Sequence, residues 1–185
     1  MESTQLRRFS TDRLDLVAST LDHILAELDS SDRLASMLNA EIGPGWPPGE
    51  YDRGAQEFFR DRLIEGGERV VGWYGWYGIR RAHAGQQATV VAAAGFFGPP
   101  SEAGVVEVGY SVVESFQKQG YATEIVQALV RIAFSDLRVH HVVGRTTPKN
   151  LASISVLERA GFVQVGSTDD KGHIRFELAR ASKLA

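Results

Sequence analysis

Val105-Val106-Glu107-Val108-Gly109-Tyr110-Ser111-Val112-Val113 runs through Glu114-Ser115-Phe116 into Gln117-Lys118-Gln119-Gly120-Tyr121-Ala122. The opening run alternates, so Val106, Val108, Tyr110 and Val112 share one face of a strand, and Glu107, Gly109, Ser111 and Val113 share the other. From Gly120 to Phe134 the period becomes helical, with Ile125, Val126, Leu129, Ile132 and Ala133 on the side that packs on a sheet. A short turn that opens a helix leaves backbone N–H groups without partners, with the positive end of the helix dipole behind them. Such a turn suits a phosphate-bearing ligand. Gly120 has no Cβ, so an anion can approach its N–H closely; the alternative is that Gly120 is only a permissive turn residue.

Working outward, Leu14-Asp15-Leu16 alternates like a strand, and Leu21 to Leu38 has helical spacing, broken by Asp29-Ser30-Ser31-Asp32 into two short helices. Gly43-Pro44-Gly45-Trp46-Pro47-Pro48-Gly49 is a loop. Ala55 to Glu65 reads as an amphipathic helix with Phe58, Phe59, Leu63 and Ile64 inward. Val70 to Ile79, Ala88 to Phe97 and Val105 to Val113 read as successive antiparallel strands. After the helix come a strand (His140 to Thr146), a helix (Leu151 to Ala160) and a terminal strand pair (Val163 to Gly166, Ile174 to Leu178) turned by Asp169-Asp170-Lys171-Gly172. This order predicts an α/β (α+β) fold, with a mixed, mostly antiparallel twisted sheet and helices on its faces.

The bulk numbers narrow the classes. A chain of 185 residues predicts a single domain spanning 1–185. It is 43% hydrophobic and carries a net charge of −3, so it can bury a core and has no basic excess for nucleic acid. With 0 Cys, disulfides and thiolate metal sites are excluded, and no His-x-x-x-His spacing occurs, so no metal is expected. Met1-Glu2-Ser3-Thr4-Gln5 is polar with no apolar signal core after it, and no apolar run is long enough to span a membrane, so the expectation is a cytoplasmic protein.

The strand from Glu107, the turn Gln117 to Ala122 and the following helix resemble motif A of the GNAT acetyltransferases, Gln/Arg-x-x-Gly-x-Gly/Ala, matched by Gln117, Gly120 and Ala122. Asn150 to Phe162, an Asn opening a helix that ends in Gly161-Phe162, resembles motif B. Thr11-Asp12-Arg13-Leu14-Asp15-Leu16 and the Trp46-Pro47 loop resemble the subfamily that acetylates ribosomal-protein N-termini. The resemblance implies a GNAT fold with a splayed parallel strand pair at the cofactor cleft, and acetyl-CoA as cosubstrate. Backbone groups of Ser111, Val112 and Val113 would pair with the pantetheine arm. The turn, Gln117, Lys118, Gln119, Gly120, Tyr121, Ala122 and Thr123, would hold the pyrophosphate. Asn150 would contact the pantetheine or a water, or serve as a helix N-cap, or both. Lys118 is as readily a solvated surface lysine.

The resemblance also implies the catalytic roles. Glu107 sits where the family's strand carboxylate takes the amine proton; without the match it is a solvent-facing strand residue. A strand N–H near Val112 would meet the oxyanion. Many relatives place a Tyr where this chain has Leu157; the subfamily resemblance puts Ser153 or a water at the leaving thiolate, although Ser153 alternatively bonds only backbone. The implied reaction is acetyl transfer to a primary amine: a protein N-terminus, an amino acid or peptide, or a small amine. The loops from Asp29 to Tyr51 and the Trp73/Trp76 strand would select it, and a homodimer is compatible with the aromatic strand. The alternative is a catalytically weak acyl-CoA-binding sensor or interaction module of the same fold.

Overall fold

The computed structural model describes residues 7–181; the polar start Met1 to Gln5 lies outside the described residues. In chain order the elements are β1 (Arg8–Ser10), β2 (Leu14–Ala18), α1 (Leu21–Asp29), α2 (Ser31–Leu38), α3 (Arg53–Gly66), β3 (Gly75–Arg80), β4 (Thr89–Phe96), β5 (Val105–Val112), α4 (Tyr121–Ser135), β6 (His141–Thr146), α5 (Leu151–Arg159), β7 (Val163–Val165) and β8 (Ile174–Ala179). They form one 8-stranded sheet in the order β1-β2-β3-β4-β5-β6-β8-β7. Every neighbouring pair is antiparallel except β5 and β6, which α4 joins as a crossover. Among the described residues no helix is long and apolar enough to cross a membrane.

The local reasons are visible at the boundaries. Ser30 ends α1, donating its N–H to Ala26, and its hydroxyl caps α2 by accepting from Asp32, so one residue makes the expected break. Asp52 caps α3 through the Ala55 N–H. The β5 alternation holds: Val106, Val108 and Val112 are buried. That face carries α4 and α5. A Cβ on Gly78, in register with Ala92 and through it with Val112, would touch Ile125 of α4. One on Gly144, opposite Val108, would lie 2.8 Å from Leu157 of α5. The other face carries α1, α3 and the 43–49 loop: Tyr77 reaches Glu27 of α1, and a Cβ on Gly75 would touch Phe59 of α3.

Some boundaries differ from the sequence expectation. The strand expected over Val70 to Ile79 begins only at Gly75, because Gly67–Val70 is a 3-10 turn and Gly72 sits at φ +88°. The indole of Trp76 then folds back to donate to the Gly72 carbonyl. Trp73, Tyr74, Trp76 and Tyr77 are all buried, at 9% exposure or less. Phe58 and Ile64 are 42% and 59% exposed, because α3 turns only a narrow stripe, Leu63 and Gln56, fully inward. The edge strand β1 was not expected at all.

A buried carboxylate ties the second face together. Glu27 accepts from Trp46 Nε1 (2.8 Å) and Gln56 Nε2 (3.0 Å) on one oxygen, and from the hydroxyls of Tyr51 (2.9 Å) and Tyr77 (2.7 Å) on the other. It thereby joins α1, the Trp46 loop, α3 and β3. Burial pushes its pKa up, and the bonds from Tyr77, Tyr51, Trp46 and Gln56 pull against that without cancelling it.

Glu27→Ala should lower stability by about 3 kcal/mol or more in urea denaturation, since each desolvated donor left without a partner costs about 1–3 kcal/mol. The pH dependence has a definite sign. A native pKa raised above the unfolded one makes the contribution of Glu27 fully present below the unfolded value and lost as pH rises through the raised native value. The stability of the wild type relative to Glu27→Gln is therefore expected to fall with rising pH across that window, and a pH-independent difference would contradict the raised pKa.

Candidate active site

The parallel strands part after four residue pairs, Val105 with His141 through Val108 with Gly144. Beyond that point β5 stays with β4 as far as Val112, while β6 stays with β8 as far as Thr146. The alternation of backbone groups says which ones face the gap. Glu107 accepts from Phe97, and Val113 donates to Val91 O at 2.9 Å, so the odd-numbered residues of β5 bond toward β4. The even-numbered ones face β6, and past the fork Tyr110 and Val112 meet no strand there.

This revises the expected partners of an extended ligand. Ser111 and Val113 are committed to β4, and the Val113 carbonyl also accepts from Phe116. Of the trio Ser111, Val112 and Val113, only Val112 has its N–H on the open edge, and Tyr110, which the sequence reading left out, joins it. The Val112 carbonyl accepts from Gln117 Nε2 at 3.0 Å.

Beyond β5 a short 3-10 turn, Glu114–Phe116, leads into the exposed stretch Gln117 to Gly120. Gly120, at φ +83°, opens α4 with no side-chain cap. Among the described residues the N–H groups from Lys118 through Thr123 have no hydrogen-bond acceptor; the first helical bond is Glu124 N–H to Gly120 O. Lys118 also has positive φ, 60°, which is unfavourable for a side chain with a Cβ. The side chains of Gln117 and Gln119 do not reach outward but tie the turn to Val112 O and Ser115 O.

Behind the turn lies Arg13. Its Nη1 donates to Gln119 O (2.8 Å), its Nε to Glu124 (2.7 Å), and its guanidinium lies 4.5 Å over the ring of buried Tyr121. Glu124 also accepts from the Thr11 hydroxyl (2.6 Å) and the Arg13 N–H (2.9 Å). Burial raises the Glu124 pKa, but these bonds and the Arg13 charge outweigh it and hold the carboxyl below its ordinary value.

Asn150 caps α5, accepting from Ser153 N–H at 3.1 Å, which leaves the Ser153 hydroxyl free of that duty. Ser153 Oγ lies 2.9 Å from the hydroxyl of Tyr110. Burial pushes the Tyr110 pKa up, a bond with Ser153 opposing, so the phenol stays protonated at neutral pH. Leu157 is buried against Gly144, in the fork.

Glu107 is on the opposite face. It pairs with Arg145, one strand away, at the rim of a cavity of about 270 Å³ lined also by Phe97, Val143 and Arg175. Glu107 and Ser153 are therefore not neighbours: the sheet separates them, and the fork is the opening between their two sides. Arg13, Tyr110 and Arg145 escaped the sequence reading as site residues. Arg13 stands in the quoted Thr11 to Leu16 stretch and Tyr110 in the quoted strand, but only register and long-range packing reveal what they touch.

The family described as Acetyltransferase (GNAT) domain matches residues 13–163. The chain is 27% identical over 153 residues to the uncharacterized N-acetyltransferase YjdG of Bacillus subtilis, covering 83% of this chain and 88% of that one. In fold it is similar to a ribosomal-protein-S5-alanine acetyltransferase from Vibrio fischeri, with a TM-score of 0.63 at 16% identity over 94% of this chain and 96% of that one. It is similar also to the aminoglycoside acetyltransferase AAC(6')-Ib in complex with coenzyme A, with a TM-score of 0.58 at 20% identity over 89% and 94% of the two chains. At those identities the structural likeness speaks to fold alone, but the family match covers the turn, the fork and α5 together, and the chain belongs to the GNAT family of acetyltransferases.

Proposed function

We propose that the protein transfers the acetyl group of acetyl-CoA to a primary amine by direct attack. The observation that carries this reading is the unpaired run of N–H groups at Lys118 to Thr123, continuous with the open edge of β5 at Tyr110 and Val112. A pyrophosphate suits the first and an extended amide-bearing arm suits the second. AAC(6')-Ib, the same fold, has been solved with acetyl-CoA and an aminoglycoside. We read residues 1–185 as one acetyltransferase domain, because a single sheet runs through the described residues.

Acetyl-CoA supplies an activated acyl group and a thiolate leaving group. The chain's residues divide the remaining work. Lys118 to Thr123 bind the phosphates, with Gly120 supplying the left-handed backbone that opens α4. The Val112 N–H, on the open edge, meets the oxyanion in this reading. Glu107 takes the proton from the attacking amine, directly or through water, and its partner Arg145 keeps it oriented. The Ser153 hydroxyl, beside Tyr110, or a water, serves the leaving sulfur. Asn150 holds the first turn of α5, which carries Ser153. The acceptor approaches from the Glu107 face, where the Trp46 loop lies so close that a Cβ on Gly49 would touch Ser111. Candidate acceptors are a protein N-terminus, an amino acid or peptide, and a small amine.

A second reading, an acyl-CoA-binding module with little turnover, draws on Leu157 in place of a phenol. A screen of amines that detects released CoA thiol separates the two: turnover on any amine supports the enzyme, and tight acetyl-CoA binding with no turnover supports the module.

Gly120→Glu is expected to abolish acetyl-CoA binding in titration calorimetry, because a Cβ there would meet Arg13 Nη2 at 3.3 Å and disturb the clamp on the turn, while the added carboxylate would bring negative charge to it. The left-handed backbone at this position should also cost about 1–2 kcal/mol of stability. A folded Gly120→Glu protein with wild-type affinity would remove the turn from the site. Glu107→Gln is expected to lower kcat by roughly 10²-fold or more and to flatten the acid limb of the rate profile. Its acetyl-CoA affinity should stay near that of the wild type, and unchanged rates across pH would remove Glu107 from the mechanism.

A further inference from the structure

The stretch Thr11 to Leu14 is remote in sequence from the turn, yet its contacts converge on it: Arg13 and Thr11 reach Glu124 across 111 and 113 positions of chain. We propose that Arg13 is a positioning residue for the cofactor: it holds the Gln119–Gly120 peptide in the orientation that aims N–H groups at the pyrophosphate, and it cancels the charge of Glu124 beside that site. The inference rests on the acetyl-CoA reading given above.

The geometric argument starts from the peptide plane. The carbonyl of Gln119 and the N–H of Gly120 belong to one trans peptide and point in opposite directions. With the carbonyl oxygen pinned by Arg13 Nη1 at 2.8 Å, the Gly120 N–H faces away from Arg13, toward the side where no protein acceptor lies. Gly120 tolerates both signs of φ, so this peptide could turn over at little steric cost if nothing held it. Its neighbour Lys118 already occupies a left-handed conformation at φ 60°, so the turn is not one the chain adopts by local preference. Arg13 supplies the restraint from outside. Stacking on Tyr121, the first residue of α4, fixes the guanidinium itself.

The electrostatic argument concerns Glu124. A carboxylate in the first turn favours the helix dipole, but at an anion site it competes with the anion. Arg13 meets it with Nε and Nη2, both at 2.7 Å, so the pair presents little net charge. Removing Arg13 would release the Gln119 carbonyl and bare a negative charge at the place the phosphates occupy. Lysine cannot replace it fully, since one ammonium cannot span both the carbonyl and the carboxylate as the planar fork does.

The test compares wild type, Arg13→Ala, Arg13→Lys and the double variant Arg13→Ala/Glu124→Gln, with coenzyme A binding by calorimetry and steady-state kinetics where an acceptor is in hand. Arg13→Ala should weaken CoA binding by about tenfold or more, the scale of one lost charge-assisted contact. The KM for acetyl-CoA should rise in parallel, with kcat at saturating acetyl-CoA and the KM for the amine changing by less than about twofold. The double variant should recover part of the lost affinity, because the bared carboxylate is gone. Arg13→Lys should fall between wild type and Arg13→Ala. A folded Arg13→Ala protein whose CoA affinity and KM match the wild type, whatever its melting temperature, overturns the proposal and leaves Arg13 a structural clamp. Should Arg13→Ala fail to fold, Arg13→Lys decides, and wild-type affinity there overturns it equally. A wild type that binds no CoA overturns instead the acetyl-CoA reading beneath it.

Discussion

The parting of β5 from β6 after Val108 and Gly144 is the constraint on which the rest of the structure turns. Each strand keeps its other neighbour past the fork, β5 with β4 and β6 with β8, so the sheet opens along one seam without losing either half. A strand edge inside a fold is costly, because unpaired N–H and C=O groups that have left water need partners. This protein leaves that edge at Tyr110 and Val112 and satisfies the Val112 carbonyl with the Gln117 side chain. Under the proposed function, an incoming extended ligand would complete the pairing that β6 does not provide.

Packing on the helix face keeps the fork open. Gly144 lacks a side chain where Leu157 presses in, so α5 sits deep against β6 and brings Ser153 to the Tyr110 hydroxyl. α4 fills the rest of that face through Ile125 and Leu129, both wholly buried. On the other face the Glu27 network does the corresponding work. It gathers α1, the Trp46 loop, α3 and β3 around one carboxylate, so the wall over Ser111 is held by hydrogen bonds and not by apolar contact alone. The two sides of the fork are thus stabilised by different physics: close packing on the side of α4 and α5, and a buried polar hub on the other.

What the sequence revealed follows the range of the interactions involved. The alternation of Val106 to Val112, the Ser30 break between α1 and α2 and the start of α4 at Gly120 rest on neighbours within a few residues, and each is where the residue pattern puts it. The start of β3 is not legible in the sequence because Val70-Val71-Gly72-Trp73-Tyr74 is as β-rich as the strand that follows; only the 3-10 turn and the φ of Gly72 separate them. The site shows the same division. The turn was legible from Gly120 and Ala122. That Val113 bonds to Val91, that Arg145 lies beside Glu107, and that Arg13 grips the turn all depend on register or on contacts across more than thirty residues, which no local pattern encodes.

Register also clarifies the placement of Glu107 and Ser153. Residues of opposite parity on β5 face opposite sides of the sheet, so Glu107 and Tyr110 cannot serve one side together. In an unbroken sheet that would set a proton acceptor and a proton donor apart for good. At a fork it is an advantage. In the proposed reaction the amine adds to one face of the thioester plane while the sulfur leaves from a different corner of the tetrahedral intermediate, so a base on one side of the fork and a hydroxyl on the other would suit it. The Arg145 partner bears on that reading, because it fixes where the Glu107 carboxylate lies. A strand-borne guanidinium on the neighbouring strand, itself half solvated, holds the carboxylate through the rigidity of the sheet more than through the strength of the ion pair, which water screens.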